Sequence, residues 1–254
     1  MLVSEVMLQQ TQVDRVVDRH RVFLGRYPTP QACAAAPLGD VLTQWQGLGY
    51  PRRAQRLHAT ARVVVDRHDG RLPAELEVLL ALPGVGAYTA RAVRAFAFEL
   101  PAAVVDTNIA RVIARVVGER LTARQVQHHA DRWLPVEHVW LWNQSLMELG
   151  ALVCRPRPTC DRCPLAIACR WHREGHPYPD PAVGTAGVSG RQARFEGSDR
   201  QARGRLLAAV LAGPVPVADA ARIMDRDADV AERLVRDLVS EGLVVMDCAR
   251  LRAP

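Results

Sequence analysis

The sequence has 254 residues, 49% hydrophobic and 24% charged, a balance that excludes a disordered chain and suffices for a buried core without disulfide staples. The formal net charge is +6, which favours a polyanionic partner. All 33 basic residues are arginine, so chemistry through a lysine Schiff base is excluded.

No run approaches the roughly 18 apolar residues of a membrane span. Glu5, Gln9 and Gln10 also interrupt any signal-peptide core, so a cytoplasmic protein is expected. From the amino end, Ser4 reads as an N-cap, with Val6, Met7, Val13, Val16 and Val17 following at helical spacing. Helical patterns recur over 52–68, 74–80, 88–98, 107–117, 122–133 and 137–149. Val104-Val105 is too short for a strand, so residues 1–173 read as all-α. Gly and Pro recur through 174–200, a predicted linker. Beyond it, 206–212, 217–224 and 230–241 read as helices, and 243–246 pairs with 249–252 as a hairpin. Residues 201–254 are thus expected to form a small winged-helix-like α+β module.

Cys154, Cys160, Cys163 and Cys169 form a C-x5-C-x2-C-x5-C array. In a cytosolic chain such spacing indicates metal or cluster ligation rather than disulfides. Four thiolates suit either tetrahedral Zn²⁺ or a [4Fe–4S] cluster, and spacing alone leaves both open. Cys33 and Cys248 read as small residues without ligand roles.

The run Leu82-Pro83-Gly84-Val85-Gly86-Ala87-Tyr88 places two glycines between helical segments, a helix-hairpin-helix pattern. There, backbone amides at the second helix can face a phosphate without reading a base. Glu5 and Gln9, four apart, are expected on one helical face. Asp106 precedes the helix of Ile109, Val112 and Ile113, and alone it would be an ordinary N-cap. Tyr50, in Gly47-Leu48-Gly49-Tyr50, is either core or an aromatic wedge for DNA.

Taken together, the Ser4-to-Val13 segment, the Gly47-to-Tyr50 turn, the glycine hairpin and the cysteine array resemble the iron–sulfur helix-hairpin-helix DNA glycosylases, most closely the MutY-type adenine glycosylases. The resemblance spans residues 1 to about 172 and favours [4Fe–4S] over zinc. It implies a base-excision repair enzyme that removes adenine mispaired with 8-oxoguanine or guanine in double-stranded DNA, acting as a monomer. By that likeness Glu5 is the catalytic acid, and Asp106, with Asn108 beside it, is the second carboxylate. Gln9 and Tyr50 lie at the lesion, Gly84 and Gly86 shape the DNA-binding hairpin, and Tyr88 stands where bifunctional relatives carry a lysine nucleophile.

A carboxylic acid can protonate adenine near neutral pH only when a desolvated pocket raises its pKa, which is the state expected of Glu5. Asp106 is expected ionised, facing the sugar cation. Arg155, Arg157, Arg162 and Arg170 are expected near phosphates. The opposing base is expected to be read by the catalytic core or by the winged-helix-like module, with Arg191, Arg194, Arg200, Arg203 and Arg205 nearby. The first cysteine gap is one residue short of the family's common six. The resemblance also implies an N-terminal segment that this sequence does not include, and residues 200–254 are too short and helical for a NUDIX-like domain. A thymine glycosylase acting on T·G mispairs is the nearest alternative, followed by a non-catalytic iron–sulfur DNA-binding regulator.

Overall fold

The computed structural model describes residues 1–188 and 194–254, so Arg191 lies outside the described residues. As expected the fold is mostly helical, with a small sheet confined to the carboxyl end. Contacts divide the chain into two compact units that do not follow chain order. One comprises Leu2–Pro73, Ala81–Gly84 and Gln192–Pro254, and the other Met1, Ala74–Leu80 and Val85–Arg191.

The first unit holds α1 (Leu2–Leu8), α2 (Val13–Arg26), α3 (Pro30–Ala35), α4 (Leu38–Gln44) and α5 (Arg52–Arg67). It also holds α12 (Asp199–Ala212), α13 (Ala220–Met224) and α14 (Ala228–Ser240). One apolar core runs through both stretches: Phe23, Leu42 and Trp45 join the same buried cluster as Leu206, Met224, Leu234, Leu238 and Leu251. The expected hairpin is present as β2 (Val245–Asp247) and β3 (Arg250–Arg252). A third strand, β1 (Val215–Pro216), pairs antiparallel with β3 and gives the order β1-β3-β2. It escaped the sequence reading because two residues carry no alternation.

Two local expectations fail at the amino end. Ser4 does not cap a helix, because α1 begins at Leu2. Nor does the helix reach Gln9: the chain breaks after Leu8, Gln10 takes a left-handed φ of 56°, and α2 starts at Val13. The cause is tertiary. The Arg53 guanidinium, pulled down by burial to a pKa of about 10 yet still charged at neutral pH, donates to the carbonyls of Val6, Met7 and Gln9 at 2.8, 2.9 and 2.6 Å. Its other terminal nitrogen donates to the Leu48 and Gly49 carbonyls, both at 2.9 Å. One cation thereby satisfies helix-end carbonyls that a continuing helix would have paired.

The second unit holds α6 (Leu76–Leu80), α7 (Ala87–Ala97), α8 (Thr107–Val117), α9 (Ala123–Trp133), α10 (Val139–Glu148) and α11 (Arg170–Arg173). Ile109, Val112 and Ile113 of α8 pack on Leu121, Val126 and Leu146. A capping box at Thr122 and Gln125 starts α9. Residues 180–188, inside the run read as a linker, are packed chain. Ala182 and Thr185 are buried, and the Thr185 hydroxyl accepts from the Leu121 amide at 3.0 Å.

Arg53→Ala is expected to lower unfolding stability by roughly 3 kcal/mol, from several charge-assisted bonds lost inside a packed region. Arg53→Lys should recover less than half of that, because one ammonium cannot span both sets of carbonyls. Denaturant midpoints at constant slope measure both.

Candidate active site and cysteine loop

In the first unit, Glu5 is half-buried on α1 and Gln9 lies in the turn just beyond that helix. Tyr50 ends the Gly47-to-Tyr50 turn with φ 49°, and the residue is 37% exposed. The Arg53 guanidinium stands 5.5 Å from the ring centroid. Gly84 has φ 76°, and a Cβ there would fall 2.6 Å from the Arg56 Cβ, so only glycine fits. The Thr60 hydroxyl donates to the Pro83 carbonyl at 2.6 Å and fixes the same turn.

In the second unit, Gly86 is the N-cap of α7, with extended backbone (φ −88°, ψ 178°) and no atom within 4 Å of where a Cβ would stand. That helix start is therefore open to an incoming group. Tyr88 is half-buried and packs on the apolar cluster of Ala92, Ala95 and Val139.

Asp106 does cap α8: its Oδ1 accepts from the Ile109 amide at 2.7 Å. Its Oδ2 accepts from the Asn108 side-chain amide at 2.9 Å. Burial pushes this carboxyl above the ordinary aspartate range, while those two donors and the nearby Arg111 charge pull it back.

The network continues down the helix. Asn108 Oδ1 accepts from Arg111 at 2.8 Å, and Arg111 donates to the carbonyls of Cys154 and Gly150, both at 2.6 Å. Gly150 sits in a π-helical turn, Leu149–Val153, pressed so close that a Cβ would lie 2.6 Å from the Asn108 Cβ. One turn along α8, Arg115 is 2% exposed and donates to Asp180 at 2.6 Å, the Arg155 carbonyl at 2.7 Å and the Cys154 sulfur at 3.3 Å. The Trp171 ring covers it at 4.7 Å.

The four array cysteines, none of them in a disulfide, line one small cavity with Arg115, Pro158, Trp171 and His172. Burial and the neighbouring sulfurs push the Cys160 thiol up, and burial likewise raises Cys169. Four sulfurs converging on a walled space fit a metal or cluster and not a disulfide framework. His176 Nε2 lies 3.4 Å from the Cys160 sulfur and 3.1 Å from His172 Nδ1, so these three side chains sit together at the cavity's edge.

Residues 3–136 match the HhH-GPD superfamily of base excision DNA repair proteins. The adenine DNA glycosylase of Mycobacterium tuberculosis (strain ATCC 25618 / H37Rv) is 42% identical over 96% of this chain and 81% of its own length. The human adenine DNA glycosylase is 43% identical over 66% of this chain and 32% of its own length. Among solved structures, a thermostable thymine-DNA glycosylase has a TM-score of 0.65 at 30% identity, covering 68% of this chain and 83% of that one. A non-covalent endonuclease III–DNA complex has a TM-score of 0.61 at 27% identity, with the same coverage of both chains. The chain belongs to the adenine DNA glycosylases.

As a DNA glycosylase of base excision repair, it carries more of its machinery in arginines than motif reading found. Arg53 is half-buried and Arg111 and Arg115 are buried, and in sequence such arginines look like surface ones. Arg111 and Arg115 do leave a trace, a pair four apart among apolar residues of α8. Expected phosphate contacts divide as well. Arg155, Arg157 and Arg162 are exposed with no ion pair among the described residues, whereas Arg170 is engaged by Glu119 at 3.0 Å and Glu174 at 2.8 Å. Of the arginines expected at the opposing base, Arg194, Arg203 and Arg205 pair with Glu196, Glu241 and Asp225.

Proposed function

We propose that this adenine DNA glycosylase hydrolyses the N-glycosidic bond of adenine mispaired with 8-oxoguanine or guanine in duplex DNA, acting as a monomer on the nucleoid in the cytoplasm. The observation that carries the reading is Asp106: a carboxylate held by two hydrogen bonds at the head of α8, in a chain whose relatives are adenine glycosylases. Adenine must leave the stack before any side chain can reach it, at a cost of a few kcal/mol that is smaller at a mispair. Glu5 donates its proton to a ring nitrogen of the flipped base. The glycosidic bond then breaks with its electron pair passing to the base. Asp106 faces the sugar cation that remains and either steadies it or traps it covalently until water adds at C1′. Water's proton returns to a carboxylate, leaving free adenine and an abasic deoxyribose. No lysine is needed for hydrolysis, and the chain has none.

Cys154, Cys160, Cys163 and Cys169 would hold a [4Fe–4S] cluster in this reading, and its contribution would be to fix the loop rather than to act on the substrate. The exposed Arg155, Arg157 and Arg162 then meet the phosphate backbone, and the amides starting α7 meet it at the hairpin. The likeness to a thymine-DNA glycosylase keeps one second reading, release of thymine from T·G.

Single-turnover assays on A·8-oxoG, A·G and T·G duplexes test the proposal: adenine is released from the first two, and thymine release without adenine overturns it. Glu5→Gln is expected to slow adenine release by about 10²–10⁴-fold while leaving duplex affinity in place. Asn108→Ala removes a donor to the ionised form of Asp106, so the Asp106 pKa rises further. The acid limb of the rate profile should move to higher pH by roughly one unit, the size of one charge-assisted bond. An unmoved limb, read from single-turnover rates across pH, would exclude Asp106 as the required anion.

A further inference from the structure

The role of the carboxyl-terminal module is not supplied by the reaction. Its contacts within its own unit supply one. Arg200, in the first turn of α12, donates from Nη1 to the Tyr50 hydroxyl at 2.8 Å. A cation there opposes the helix dipole, which favours the acid actually present one position earlier, Asp199. Arg203, three residues on and on the same helical side, pairs with Glu241 at 2.6 Å. The Glu241 backbone carbonyl in turn accepts from Gln55 of α5 at 2.7 Å. Gln55 and Tyr50 flank the same helix start, so α12 and the end of α14 grip the segment that carries Tyr50.

Tyr50 itself is strained and exposed, with φ 49° and a ring supported on one side by Arg53. A wedge that enters a base stack gains from being ordered beforehand, since each loose side chain costs ordering entropy on binding.

We propose that Arg200 is a positioning residue that orders Tyr50 for insertion into the duplex, making residues 198–254 part of the lesion-engaging apparatus. This rests on the glycosylase reading above. Arg200 acts through the tyrosine hydroxyl, not by reading the opposing base.

The test is a double-mutant cycle on the full-length holoprotein, using Arg200→Ala, Tyr50→Phe, their combination and Arg200→Lys. The readouts are single-turnover adenine release and affinity for an A·8-oxoG duplex, with melting temperature as a control for folding. Arg200→Ala and Tyr50→Phe are each expected to slow release about five- to ten-fold, close to one hydrogen bond at tenfold per 1.4 kcal/mol. The double variant should be no slower than the slower single one, and Arg200→Lys, which keeps a donor, should stay within about two-fold of the parent. A parental rate in Arg200→Ala, or losses that multiply in the double variant, would overturn the proposal, since multiplied losses mean that Arg200 contacts DNA independently. Should the parent release no adenine, the catalytic reading fails separately. The same cycle is then scored on duplex affinity, where coupled losses support the positioning role and absent or multiplied losses end it.

Discussion

A guanidinium buried to 2% exposure is the constraint around which the cysteine loop is built. Burying such a charge unpaired costs several kcal/mol, so the chain around Arg115 must supply acceptors wherever its five donors point. It does so with the Asp180 carboxylate, the carbonyls of Arg155 and Pro156 and the Cys154 sulfur. Burial works against the Asp180 carboxylate, but its bonds to Arg115 and the Ala182 amide hold its pKa below the usual range, so the pair stays ionised near neutral pH. Arg111 imposes the same demand one turn earlier, and the π-helical turn at Gly150 is how the backbone meets it. The loop's course is thus dictated by α8, and the same helix carries Asp106 at its head.

This arrangement gives the two ends of α8 different tasks with shared support. In the proposed reaction Asp106 acts as an anion, standing where water is scarce enough for its charge to matter to a sugar cation. Burial raises its pKa. The Ile109 amide, Asn108 and Arg111 counter that tendency, and Arg111 is itself held by the loop. In the proposed reaction Glu5 has the opposite requirement, a proton retained until the base accepts it. Two carboxyl groups asked for opposite protonation states is the logic of a glycosidase, and it is the logic of the proposed reaction.

Much of this was legible in the sequence where local physics decides. The helix 107–117 was found to the residue because its apolar periodicity is bounded by an Asp cap and by Gly118, which takes φ 79°. The cysteine array and the glycine hairpin likewise announce themselves by spacing. What escaped was set by tertiary partners. Nothing between Val6 and Val13 breaks a helix by propensity; Arg53, 44 to 47 residues away, does so by claiming carbonyls. The short helices α3 and α4 carry little periodicity of their own, and only the start of α3 is marked locally, by Pro30 and by the Thr29 hydroxyl accepting from the Ala32 amide at 3.1 Å. The shared core of residues 6–61 and 202–251 could not be read at all, since apolar faces do not name their partners.

The central claim is that α8 and the cysteine loop are one mechanical element, with Asp106 fixed from below by the loop. Hydrogen exchange of the protein, before and after the metal or cluster proposed for the cysteine loop is stripped, tests it most directly. The account predicts that amides of Thr107–Val117, the Ile109 amide on Asp106 included, lose protection together with the loop 149–169. Protection along α8 that survives while the loop alone opens would contradict it.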